Sequence, residues 1–195
     1  MSHFIRAPLD IFKIWSGGLV FYGGFIGALI VAVVFIRVYR LPLGKVADIA
    51  ALAIPLGHIF GRLGCFFAGC CYGDTCDLPW SVTFVDDESL APLGVPLHPT
   101  QLYSALGNML IFSFLFVWRD RKRFDGQLFW FYVLAYGLVR SLIEVFRADD
   151  RGGYLLGTLS VSQVIGLSLA VFALAVLVVS ALRNRFSRSD GRDIV

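Results

Sequence analysis

Long uninterrupted runs of apolar residues fill this chain, and short clusters of charge separate them. Five runs read as bilayer-crossing helices: about Trp15 to Val38, Val46 to Cys71, Gln101 to Trp118, Gly126 to Phe146 and Leu159 to Leu182. Each is near the roughly 20 residues that a helix needs to cross a hydrocarbon core. No heptad pattern, low-complexity tract or repeat interrupts them. The pattern predicts one all-α domain over residues 1–195, a polytopic transmembrane helix bundle of about five spans with no soluble appendage. The opening "MSHFIRAPLDIFKIW" lacks an apolar core followed by a small-residue cleavage site, so no cleavable signal peptide is expected.

Composition strengthens this picture. Of the 195 residues, 57% are hydrophobic and only 16% are charged, against about 25% charged in soluble domains. Mean hydropathy is +0.75. The net charge of +3 comes from basic residues beside the spans, so a lipid bilayer is the expected partner and nucleic acid is not.

Charge then sets an orientation, because Lys and Arg favour cytoplasmic loops. Eleven of them fall on one side: Arg37, Arg40, Lys45, Arg119, Arg121, Lys122, Arg123, Arg183, Arg185, Arg188 and Arg192. The other side has four, Arg6, Lys13, Arg147 and Arg151. The loop from Cys71 to Thr100 has no Lys or Arg and carries Asp74, Asp77, Asp86, Asp87 and Glu88. The N-terminus and this loop are expected outside, the C-terminus inside.

Against that frame a few polar groups share one depth in the outer half of the bilayer. At 1.5 Å per residue, Arg62 lies roughly 13 Å deep and Arg140 roughly 9 Å deep. Tyr22 falls at a similar level, and His98 and Gln101 stand where the outer loop enters the third span. An intramembrane arginine costs about 2.5 kcal/mol or more on insertion scales and marks a candidate functional site. Arg140 and Glu144 are i,i+4 and could neutralise each other structurally. Arg62 has no acid within a helical turn, and its planar fork suits a phosphate or carboxylate. In this layer a phospholipid headgroup phosphate is the obvious anion. Gly23 and Gly27, and Gly57, Gly61 and Gly64, have the spacing that lets helices pack closely.

Four cysteines, Cys65, Cys70, Cys71 and Cys76, fall within twelve residues. Their spacing is not that of paired zinc ligands, and no metal or cofactor is expected. A disulfide from Cys76 to Cys70 or Cys71, an inert buried Cys65, and a reactive thiolate near Arg62 all remain open.

"FYGGFIGALI", "GHIFGRLGCFFAGCCYG", "LHPTQLYSAL", "YGLVRSLIEVFRADD" and "LSVSQVIGLSL" occur in an order that resembles the bacterial prolipoprotein diacylglyceryl transferases. The resemblance runs from about Ile11 to Leu169 and matches the last five of that family's seven helices, which fits an outside N-terminus. It implies an inner-membrane enzyme with two partners, phosphatidylglycerol and a prolipoprotein. The diacylglyceryl group moves to a lipobox cysteine thiol and glycerol 1-phosphate leaves. Arg62 matches the arginine of the GRLG motif and Arg140 that of YG-x-x-R. Both are expected to bind substrate and act in catalysis. His98, Gln101, Tyr103, Glu144 and Arg147 match further substrate-binding positions, and Gly61, Gly64 and Gly73 match the signature's glycines.

The departures lie in the acid/base half. Tyr22 stands where the family has histidine in F-H-G-G. Where the family reads G-N-F-x-N-x-E, this chain has Cys65, Ala68 and Cys70. The resemblance thus leaves Tyr22 and Cys70 as candidate catalytic groups and Cys65 as a substrate contact. It also leaves two rivals, another headgroup transferase using cysteine chemistry and a non-catalytic phospholipid-binding protein.

Overall fold

Among the described residues the computed structural model is all-α, with five long helices of membrane-like composition. The structure describes residues 19–147, 154–155 and 159–190, with side chains from 26 to 147 and 160 to 183. The chain divides into two units, Met1–Leu43 and Gly44–Val195. The first contains α1 (Leu19–Val38). From Ile26 onward its apolar side chains except Ile36 are exposed, Val31 and Val38 most of all. Tyr22 and Gly23 fall on this helix, but the side chain of Tyr22 lies outside the described residues.

The second unit holds α2 (Leu43–Phe67), α3 (Thr100–Trp118), α4 (Gln127–Glu144) and α5 (Val161–Asp190). Among the described residues three stretches are long and apolar enough to cross a membrane: Leu43–Phe67, Thr100–Arg121 and Val161–Arg183. Large apolar side chains stay exposed along their outer faces, Phe60, Leu110 and Val171 among them. Lipid is the solvent that such faces require. Within α4, Gln127, Arg140 and Glu144 dilute an otherwise apolar run of 18 residues.

The core is where α2, α3 and α4 meet, with Ala51, Ile111, Leu115, Leu128 and Tyr132 buried together. α4 makes its most extensive contact with α5. They cross at two glycines: a Cβ on Gly137 would sit 2.6 Å from the Gly166 carbonyl oxygen. The glycines expected to bring α2 close to a neighbour behave differently. A Cβ on Gly57, Gly61 or Gly64 would meet nothing within 4 Å. Glycine spacing marks a face on which a neighbour could approach, and only the fold decides whether one does.

Asp48 ties the opposite end of the bundle together. It is buried on α2, and its carboxylate accepts the backbone N–H groups of Gly126, Leu128 and Phe129 at 3.0, 2.9 and 3.3 Å. These are the orphan donors of the first turn of α4, which carries the positive end of its dipole. Lys122 donates to the same carboxylate at 2.9 Å, which pushes its ammonium above the usual lysine range.

The ends of two helices differ from expectation. α2 stops at Phe67, not Cys71, and the stop is a glycine cap. Gly69, at φ +69°, donates to the Phe66 carbonyl and Cys70 to the Cys65 carbonyl, both at 3.1 Å. This 5→2 and 6→1 pair is a Schellman motif. α5 starts after the short strand β4 (Leu159–Ser160), which pairs with β3 (Tyr154–Leu155). Between α2 and α3 a loop carries β1 (Val82–Thr83) and β2 (Pro96–Leu97), paired antiparallel. It is pinned to the end of α4 by a bridge between Gly73 and Arg147.

Candidate active site

At one end of the second unit the end of α2, the start of α3 and the end of α4 converge. Arg62 comes from α2, Ser104 and Asn108 from α3, and Tyr136 and Arg140 from α4, and together they line one small cavity. Two arginines 78 residues apart are thus brought to a single site. Arg140 pairs with Glu144 one turn further on. Glu144 also accepts the Ser160 hydroxyl at 3.2 Å, which joins α4 to the start of α5. Among the described residues no acid pairs with Arg62. Among the described residues, then, Arg140 is internally compensated and Arg62 carries its charge with no acid beside it.

An apolar groove of about 410 Å³ opens between α4 and α5, lined by Tyr132, Tyr136, Arg140, Ile165, Gly166 and Leu169. Tyr136 and Arg140 line both the groove and the arginine cavity. Charge and an apolar trough are contiguous, which is the shape of an anionic amphiphile.

A collar of aromatic and imidazole groups stands at the loop. Tyr103 hydroxyl receives the Trp80 indole N–H at 2.8 Å and lies 3.1 Å from His98 Nδ1. Phe146 packs against both rings, at 5.2 Å from His98 and 6.0 Å from Tyr103. Gly73 donates to the His98 carbonyl at 2.9 Å, and a Cβ there would lie 2.4 Å from the Phe146 carbonyl oxygen. Arg147, which bridges to Gly73, is held beside this collar.

The cysteines form a third group. Sulfur atoms of Cys65, Cys70 and Cys71 all lie within 4.8 Å of one another. The Schellman stop is the reason: it folds Cys70 back over Cys65, and Cys71 follows at φ +62°. Gln101, fully buried, donates to the Cys70 carbonyl, and Thr100 to the Cys71 carbonyl, each at 2.8 Å. No disulfide joins the four cysteines. The alternative that paired Cys76 with Cys70 or Cys71 is therefore not realised. Cys76 is buried in the loop, where its sulfur accepts the Leu78 N–H at 3.4 Å. Burial, and then the crowding of Cys65 and Cys71, pushes the Cys70 thiol up to about 12. At neutral pH it is a thiol, not a thiolate.

The fold thus unites Arg62 with Arg140, Cys65 with Cys70, and His98 with Tyr103, and makes Gln101 a clamp on the cysteine turn. His58 escaped the sequence reading. It is one turn before Arg62, within reach of its charge, and stacks on Tyr136 at a ring distance of 5.5 Å. Its ring has Asn108 within hydrogen-bonding reach. Its i,i+4 spacing from Arg62 was the available signal. Gln101, Ser104 and Asn108 were legible too, as a buried polar stripe on an apolar helix.

Fold and site together define a class: an all-helical membrane protein with arginines inside its bundle, open to an apolar groove. The chain matches the family model described as prolipoprotein diacylglyceryl transferase over residues 1–179. It is 36% identical over 186 residues to the phosphatidylglycerol–prolipoprotein diacylglyceryl transferase of Geobacter sulfurreducens, covering 94% of this chain and 70% of that one. The enzymes of that name from Rhodospirillum rubrum and Clostridium tetani are each 35% identical, over 98% and 90% of this chain and 70% of theirs. The chain belongs to the prolipoprotein diacylglyceryl transferase family.

Proposed function

We propose that this protein transfers the diacylglyceryl group of phosphatidylglycerol to the lipobox cysteine thiol of a prolipoprotein, in the bacterial inner membrane. The observation that carries the reading is the shared cavity of Arg62 and Arg140, contiguous with the apolar groove between α4 and α5. The acyl chains occupy the groove, and the headgroup phosphate meets Arg62. The substrate sulfur attacks the glyceryl carbon that bears the phosphate. A C–S bond forms, the C–O bond breaks with its electron pair leaving on glycerol 1-phosphate, and the thiol proton passes to that departing phosphate. Charge builds on that leaving phosphate, so a fixed guanidinium favours the transition state over the ground state. Trp80, Tyr103 and His98 form the rim at which a polypeptide substrate arrives.

Transfer is measured with labelled phosphatidylglycerol and a lipobox peptide. Arg62→Ala is expected to lower turnover by roughly 100-fold or more, the scale of a lost oxyanion donor. Wild-type turnover in folded Arg62→Ala overturns the proposal. The non-catalytic rival is favoured by one observation, a cysteine at position 70 where the resemblance implies a carboxylate. It predicts Arg62-dependent co-purification of phospholipid with no thioether product.

A further inference from the structure

The three-thiol cluster has no role in that scheme, yet it is the most constructed feature of the site. Its sulfurs converge to within 4.8 Å although they come from a helix end and the loop beyond it. The turn that does this is anchored from another helix, by Gln101 and Thr100 on the carbonyls of Cys70 and Cys71. Gln101 is completely buried. All three cysteines are only partly buried, so the cluster has an open side. Ligands held on rigid, hydrogen-bonded backbone are what a metal site requires.

Zn–S bonds of about 2.3 Å in a tetrahedron place sulfurs about 3.8 Å apart, so small rotamer adjustments close the cluster around one ion. Soft thiolates select zinc or cuprous copper over harder ions. Three protein ligands with an open fourth position is the arrangement of a catalytic zinc rather than a structural one. Sequence spacing did not announce it, because the ligand set is created by the helix stop.

We propose that Cys65, Cys70 and Cys71 bind one zinc ion, and that the lipobox thiol of the substrate takes its fourth position. This deepens the transferase reading and rests on it. Zinc binding displaces the protons of the three protein thiols. The incoming thiol then ligates as a thiolate and releases its proton to water. That sulfur attacks the glyceryl carbon as the C–O bond to phosphate breaks, and glycerol 1-phosphate departs with the electron pair. The thioether product is neutral and a poorer ligand than a thiolate, so it leaves and the fourth position reopens. No electron is gained or lost by the metal.

The test uses the full chain in detergent, loaded with zinc or with cobalt(II) as a spectroscopic substitute. One equivalent of zinc per chain and a tetrahedral cobalt–thiolate absorption are expected. Cys70→Ser is expected to weaken metal binding by roughly 100-fold or more, beyond the range typical of outer-shell changes. Cys76→Ser, outside the cluster, is expected to keep both metal and fold. A lipobox peptide should shift the cobalt spectrum, and its serine analogue should not. Substoichiometric zinc with no cobalt–thiolate band overturns the proposal, as does retention of copper alone. An unchanged band in Cys70→Ser also overturns it. The two readings separate cleanly. Labelled transfer that proceeds in metal-free protein sinks the zinc site and leaves the transferase standing. A peptide-dependent cobalt shift without any lipid transfer does the reverse.

Discussion

Gly73 shows how tightly the loop is set against the bundle. Its backbone bonds to the His98 carbonyl and bridges to Arg147, and it has no room for a methyl group between Phe146 and His98. Gly73→Ala is expected to destabilise the protein by about 1–3 kcal/mol, the usual range for overpacking. It should also lower transfer, because the His98–Tyr103 collar must shift. Thermal unfolding of the purified variant measures this, and an unchanged midpoint would count against the packing argument. Arg62 and Arg140 were legible at this scale because an arginine in an apolar run is costly wherever it points. His58 stood out less, since a neutral imidazole costs less in a span than an ionised guanidinium. Its meaning comes from Arg62, Tyr136 and Asn108 around it.

Between elements, the decisive contacts come from helix termini. Asp48 caps α4 from a different helix, serving three backbone N–H groups and Lys122. Asp48→Ala leaves those donors buried and unserved. The expected loss is about 2–4 kcal/mol, with Asp48→Asn intermediate because one acceptor remains. A ranking of thermal midpoints with wild type highest and alanine lowest checks this. No local pattern flagged Asp48, because its partners lie about 80 residues away. The Schellman stop at Gly69 was equally hidden. The run continues apolar past Phe67, so hydropathy carried the span on to Cys71, whereas the glycine in left-handed geometry ended it.

For the whole molecule, the exposed apolar faces of α2, α3 and α5 require lipid, and the charge asymmetry of the loops proposes how the bundle sits in it. The acidic loop should face outward and the basic C-terminal segment inward. An epitope inserted at exposed Asp87 should be reached by antibody on intact spheroplasts, and one at the C-terminus only after permeabilisation. The opposite pattern would invert the proposed topology. The substrate geometry depends on it, because lipobox cysteines and the phosphate layer must meet Arg62 at the same membrane face.

The sequence by itself determined the solvent, the helical character of the long runs and which of their residues carry charge. Each follows from the one-dimensional cost of placing polar groups in hydrocarbon. Tertiary structure alone decided which polar groups share a cavity, which glycines touch a neighbour and which cysteines meet. Those depend on where helices stop and which faces pack, and such contacts join residues far apart in the chain. Gln101 illustrates both. Its place at the start of a span was readable, but its bond to the Cys70 carbonyl, and with it the shape of the thiol cluster, exists only once α2 and α3 are side by side.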